Sequence, residues 1–275
     1  MADTARYPLA VSTGIIAEPE LSSQALAVLN HARFEYMEIG YEHSLPALSS
    51  RAVYQNLIGW CGDSTVRVFS IHAPYRPDRD ISQLDEVQRR TAVSYTEEAI
   101  GLASHLGAKL VAIHGSQDPL EPNTRDKRRE QSQKSLAELV RVARECSIRL
   151  VLETMPPEWI PAGADEAEAV LEGLDPSVIG YCLDTNHANL TGKLVDIIHH
   201  FGDRLWSIHL SDNDGIQQRH WMPFEGVIDF KSVMEALGDI GYRGPLIYEL
   251  DPHPDGLAVG LAAIEENYLR LMDLT

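Results

Sequence analysis

Cysteine is scarce in this sequence. The three residues, Cys61, Cys146 and Cys182, are an odd number without the short paired spacings of a zinc ribbon or a redox motif. No disulfide framework is expected, and the thiols read as buried and free. Long apolar runs are missing too: no stretch approaches the ~18 to 20 residues a membrane helix needs. Met1 to Pro8 lacks a basic region followed by an apolar core, so the expectation is a cytoplasmic protein with no membrane partner. Positive charge is in short supply, with 23 Lys and Arg against 41 Asp and Glu and a formal net charge of −18. Such a surface repels phosphate backbones, so nucleic acid is an unlikely partner unless a local basic patch survives. The one basic run, Arg125 to Arg129, opens a predicted helix and reads as a solvated face.

Pro/Gly/Ser-rich linkers and low-complexity segments are also absent, which argues for one domain over residues 1–275. What is present is alternation. Short apolar, β-branched runs predict strands near Leu9–Ile15, Tyr36–Ile39, Val66–Ile71, Lys109–Ile113, Ile148–Leu152, Ile179–Leu183, Leu205–Ile208 and Leu246–Tyr248. Between them, apolar residues at three- and four-residue spacing predict helices over Glu20–Ala32, Leu84–Leu106, Lys127–Glu145, Asp165–Gly173, Lys193–Phe201, Phe230–Leu237 and Leu257–Met272, with Leu45–Gly59 filling the remaining place. Gly107, Gly173, Gly202 and Gly238 stand just past helical runs, as C-terminal caps do. Eight strand-then-helix repeats point to an α/β fold, a single (β/α)8 TIM barrel. The runner-up is a doubly wound open sheet. It lacks its Gly-rich phosphate turn, because Ser12-Thr13-Gly14 follows the first strand instead.

In such a barrel the functional side chains project from the C-terminal strand ends. Those positions carry His72, His114, Glu153, Asp184 with His187 three residues on, His209 and Glu249. Any one of them alone reads as a helix cap or a loop residue. Together they do not, since carboxylates converging on one mouth repel unless a cation neutralises them, and a divalent metal is the economical explanation. Imidazole with carboxylate suits Zn, Mn or Co, and a set rich in carboxylates leans toward Mn or Mg. His31, His43, His105, His199 and His200 fall in or beside helices and read as surface or packing residues, and His253 as a loop residue.

Ile71-His72-Ala73-Pro74-Tyr75, Ile113-His114-Gly115-Ser116, Leu152-Glu153-Thr154, Cys182-Leu183-Asp184-Thr185-Asn186-His187, His209-Leu210-Ser211-Asp212, His220 through Phe230 and Tyr248-Glu249-Leu250 form an ordered set over about residues 66–250. The set resembles the xylose isomerase-like TIM-barrel superfamily, which includes sugar phosphate isomerase/epimerase proteins, ketose 3-epimerases and the endonuclease IV type of apurinic endonuclease. By that resemblance Glu153, Asp184, His209 and Glu249 match the metal ligands of the epimerases. His72 and His114 match further zinc ligands of the endonuclease, and His187 and His220 match two ligands of its third zinc. Two positions depart from the pattern. Gln218 stands where the endonuclease has an Asp, and Phe224 where relatives commonly have Gly.

The resemblance implies a metal-dependent sugar or sugar phosphate isomerase or epimerase working through an enediolate, with Glu153 and Glu249 as catalytic proton carriers. Asp184 and His209 complete the metal shell, and His187 and Arg219 bind substrate. Trp159, Trp221 and Tyr75 lie on strand-end loops where a ring can cover a sugar face or pack at the rim. Arg76, Arg79 and Arg219 could hold a phosphate, although the default reading is surface arginines. The rival readings are a zinc phosphodiesterase on abasic DNA, which Gln218 and the net charge oppose, a lyase or dehydratase sharing the first proton abstraction, and a non-catalytic sugar-binding barrel, which the paired Glu153 and Glu249 oppose. A homo-oligomer is the common expectation for such enzymes.

Overall fold

The computed structural model describes residues 7–18, 21–41, 51–117, 120–121 and 123–275, with the side chains of 51–53 left aside. Eight strands, β1 (Leu9–Ser12), β2 (Tyr36–Gly40), β3 (Arg67–His72), β4 (Leu110–Ile113), β5 (Arg149–Glu153), β6 (Ile179–Asp184), β7 (Leu205–Leu210) and β8 (Leu246–Tyr248), pair in sequence order into a closed barrel. All pairings are parallel, and β1 closes on β8 with Leu9 opposite Leu246. Around it run the helices α1 (Ser23–Leu29), α2 (Arg51–Asp63), α3 (Glu86–Leu106), α4 (Arg125–Glu145), α5 (Ala164–Leu171), α6 (Thr185–Leu190), α7 (Leu194–Phe201), α8 (Phe230–Asp239) and α9 (Leu257–Met272). The expected (β/α)8 barrel is what forms.

Two apolar layers hold it. The larger lies between strands and helices, and a smaller one, with Ala10, Phe69, Leu110, Ala112, Val151, Cys182 and Ile247, fills the barrel itself. Strand alternation then positions the mouth: two residues beyond inward-facing Ala112, Val151, Cys182 and Ile247 come His114, Glu153, Asp184 and Glu249.

Local chemistry moves several boundaries. The first strand stops at Ser12, because its hydroxyl accepts from Gly14 N and a 3-10 turn, Thr13–Ile15, follows. Helix α1 begins only after Ser22, whose hydroxyl caps Ala25 N, and Glu20 lies outside the described residues. So do residues 45–50 of the helix expected over Leu45–Gly59, and His43. Gly238 does not cap α8, which continues to Asp239, and the left-handed residue is Gly241 at φ 68°. The basic run is not simply a solvated face: Arg125 pairs with Glu166 at 2.7 Å, and Arg128 reaches inward to fully buried Asp80. Helix α6 was not expected; Asp184 nucleates it by accepting from His187 N at 2.8 Å.

Candidate metal centre

The polar network divides Asp184 and His209 each into an occupied end and an unoccupied one. Asp184 uses Oδ1 as the α6 cap, leaving Oδ2. His209 turns Nε2 to the carboxylate of Glu38, at 3.1 and 3.2 Å from its two oxygens, leaving Nδ1. The Glu38 carboxylate holds a proton on Nε2, so Nδ1 is the nitrogen left to offer a lone pair to a cation once its own proton is displaced. Nδ1 lies 3.3 Å from Glu153 Oε2 and 3.1 Å from Glu249 Oε2. Glu153 Oε2, Asp184 Oδ2, His209 Nδ1 and Glu249 Oε2 are all buried without a hydrogen-bond partner. One ligand atom from each of these four residues lies within 4.8 Å of the others.

Electron pairs that meet this closely need positive charge between them. Separations near 3 Å are the edges of a coordination shell with bonds of about 2.1 Å. The donor set therefore fits a divalent cation.

Further imidazoles ring Glu153. His72 gives Nδ1 to the carbonyl of Ala73 at 2.8 Å and turns Nε2 to Glu153 Oε2 at 3.2 Å. His114 has Nδ1 3.1 Å from Gln117 Oε1, an amide oriented by its own N–H bond to Pro74 O, and Nε2 3.4 Å from Glu153 Oε2. His72, Glu153 and His209 form a second group with metal-ligand spacing. His187 sits with Nδ1 3.0 Å from Thr154 O and Nε2 2.8 Å from Gln218 Oε1. His220 adopts a left-handed backbone at φ 47° and bonds Glu249 O at 3.1 Å. Neither His187 nor His220 belongs to the four-ligand group.

Charge follows this geometry. Burial alone would lower the imidazoles, but Glu153, Glu38 and Glu249 hold His72 up to about 9, and Asp184, Glu153 and Glu249 hold His187 up to about 10. His209 is likewise held well above its ordinary value against its burial, by the fields of Cys182, Glu38, Glu249 and Glu153. Burial would raise Glu153 and Glu249; the imidazoles, His209 foremost, keep both below the usual carboxylate range. Asp184 is raised, chiefly by burial. In the metal-free protein protons on imidazole stand in for the cation.

Above the cluster opens a cavity of about 330 Å³, walled by Tyr75, Met155 and Trp159 and, among the described residues, lined by no Lys or Arg. A larger groove of about 490 Å³ shares His220, Leu250 and Asp251 with it and runs along α9. Trp159 stands 6.3 Å from the His114 ring. Arg219 does not line the cavity: it bonds Asp214 at 2.8 Å and lies over Trp221. Arg76 pairs with Asp78, and Arg79 stacks on Tyr95 at 4.0 Å. Phe224 holds φ 75°, a conformation Gly adopts more easily, while buried Asp212 gathers the backbone N–H groups of Phe224, Gly226 and Ile228.

The residue that sequence reasoning missed is Glu38. Its only signal was a charged residue at an inward position of an apolar strand, Tyr36-Met37-Glu38-Ile39-Gly40.

The sequence model of the family described as Xylose isomerase-like TIM barrel matches residues 26–267. The chain belongs to that family. Among its relatives is D-psicose 3-epimerase of Enterocloster bolteae, 29% identical over 119 residues, 42% of this chain and 38% of that protein. Another is inosose dehydratase of Bacillus licheniformis, 27% identical over 109 residues, 33% of this chain and 36% of that protein. Among solved structures, a D-tagatose 3-epimerase-like protein superposes with a TM-score of 0.82 at 23% identity, covering 97% of this chain and 98% of that one. The IolI protein with a binding zinc atom does so with 0.82 at 15%, covering 96% and 98%. At these identities the structural likeness shows the xylose isomerase-like fold alone.

Proposed function

We propose that this protein is a divalent-metal-dependent isomerase or epimerase of an unphosphorylated keto-sugar, moving a carbon-bound proton at the barrel mouth. The reading is carried by the four buried, unpartnered atoms of Glu153, Asp184, His209 and Glu249. A bound cation would supply Lewis-acid polarisation of a substrate carbonyl and offset the charge of the enediolate. Mn, Zn, Co and Mg all suit the donors. The carboxylates favour Mn or Mg, and the zinc atom bound by the similar IolI protein supports Zn.

Glu153 and Glu249 carry the proton in this reading. Glu249, with its side chain 21% exposed against 1% for Glu153, meets the substrate from the cavity side. Both stay ionised beside imidazoles and so can accept a proton. Asp184 and His209 complete the ligand set. His187 exchanges Gln218 for a substrate oxygen, Trp159 covers the apolar sugar face, and Arg219 joins only on leaving Asp214.

Substrate charge follows from the lining. Among the described residues the cavity lining carries Glu153, Glu249 and Asp251 and no Lys or Arg, so a phosphate dianion would meet carboxylates without the guanidinium or ammonium group that usually recognises it. Mn²⁺-loaded protein in D₂O, given a panel of free ketoses and their phosphates, is expected to exchange the hydrogen beside the carbonyl of a free ketose. Exchange confined to the phosphates would overturn the assignment. Dehydration of a keto-polyol shares the same proton abstraction and is supported by the inosose dehydratase relative. Loss of water instead of exchange identifies it in the same experiment.

A further inference from the structure

Glu38 is the carboxylate of the barrel interior that does not join the four converging ligands. It is fully buried, and among the described residues its one ion-pair partner is His209. A register shift between Met37 and Glu38 skips Phe69 and sets Glu38 opposite Ser70. The extra residue lies on β3 and brings Ser70 round to the carboxylate, which itself faces inward two residues beyond Tyr36. Ser70 Oγ donates to Glu38 Oε2 at 2.7 Å, and both carboxylate oxygens lie within 3.2 Å of His209 Nε2.

An apolar side chain would fill that inward position without the cost of burying a charge. What the carboxylate adds is directional: of the two His209 nitrogens it faces Nε2, accepting from it beside the Ser70 hydroxyl, and so turns Nδ1 toward Glu153 and Glu249 as the nitrogen a cation can take. His72 and His114 are backed by neutral acceptors, the Ala73 carbonyl and the Gln117 amide. His209 alone of these three has a full negative charge behind it.

We propose that Glu38 is the positioning residue of the metal centre, fixing His209 as the Nε2–H tautomer and strengthening Nδ1 as a ligand. The proposal rests on His209 being a ligand, as read above. A carboxylate behind a ligating imidazole tunes metal affinity by roughly 10- to 100-fold. A carboxylate that merely pinned β2 to β3 through Ser70 would leave affinity unchanged.

The test titrates metal-free wild type, Glu38→Gln and Ser70→Ala with Mn²⁺ by calorimetry, with circular dichroism checking the fold. Glu38→Gln is expected to bind about 10- to 100-fold more weakly, while Ser70→Ala, which keeps the charge, stays near wild type. In the Zn²⁺-loaded wild type the His209 Nε2 proton is expected as a protected downfield resonance, moved upfield in Glu38→Gln. Equal Mn²⁺ affinity in wild type and Glu38→Gln overturns the role of Glu38 alone. A wild type that binds no Mn²⁺ or Zn²⁺ overturns the metal centre and this proposal with it. Should Glu38→Gln not fold, Glu38→Asp, which keeps the charge but withdraws it from Nε2, is read against the same two outcomes.

Discussion

Gln218 Oε1 lies 2.8 Å from His187 Nε2, and the Nδ1 of the same ring lies 3.0 Å from Thr154 O, so both nitrogens of His187 are engaged within the protein. A neutral amide thus stands where a metal beyond His187 would want a carboxylate. Protein equilibrated with excess Zn²⁺ is expected to hold fewer than three ions by mass spectrometry and to leave an abasic oligonucleotide intact. Three tightly held zinc ions together with strand cleavage would restore the phosphodiesterase reading.

Glu249 is the most exposed of the four converging side chains. Glu249→Gln keeps its size and removes the proton acceptor. Solvent-hydrogen exchange into a ketose should fall by about 10²- to 10⁴-fold, with an unchanged circular dichroism spectrum. Undiminished exchange would take Glu249 out of the proton transfer.

Metal affinity should rise with pH. His209 is held protonated in the metal-free protein, and its Nδ1 must lose a proton to ligate. Each proton displaced makes binding about tenfold tighter per pH unit until the raised pKa is passed. Calorimetry at pH 7 in buffers of different ionisation enthalpy should register proton release, and none would contradict the assignment. The stability sign is the reverse. Imidazoles with raised folded-state values stabilise the metal-free protein fully below about 6.5 and lose that contribution as pH climbs through about 9 for His72 and about 10 for His187. The metal-free unfolding temperature should therefore fall from pH 7 to 10. A flat profile would show that these imidazoles are not coupled to the carboxylates.

Gly226 is tightly enclosed, since a Cβ there would lie 2.1 Å from Asn213 O and 2.5 Å from Asp212 Oδ1. Gly226→Ala should cost about 1–3 kcal/mol, read as a lower denaturation midpoint, by prising the turn of Phe224, Gly226 and Ile228 off Asp212. An unaltered midpoint would mean that the turn relaxes freely.

The barrel was legible because its signal is repetitive. Eight apolar runs and their intervening amphipathic segments each report the same architecture, and period-two alternation carries from Val151 to Glu153 and from Ile247 to Glu249. Boundaries were less legible, because a single hydroxyl at Ser12 or Ser22 ends or starts an element without altering the hydrophobic pattern. Helix α6 escaped notice because its cap, Asp184, also reads as a strand end.

By itself the sequence determined the closed α/β architecture and the acidic and imidazole side chains offered at its mouth, since both follow from local periodicity. Only the tertiary structure decided which ends of those side chains meet. The pairing of Glu38 with His209, 171 positions apart, that of His187 with Gln218, 31 apart, and the convergence of Glu153, Asp184, His209 and Glu249 each depend on a partner on another strand or loop. Hydrogen-bond direction across such distances leaves no trace in local spacing.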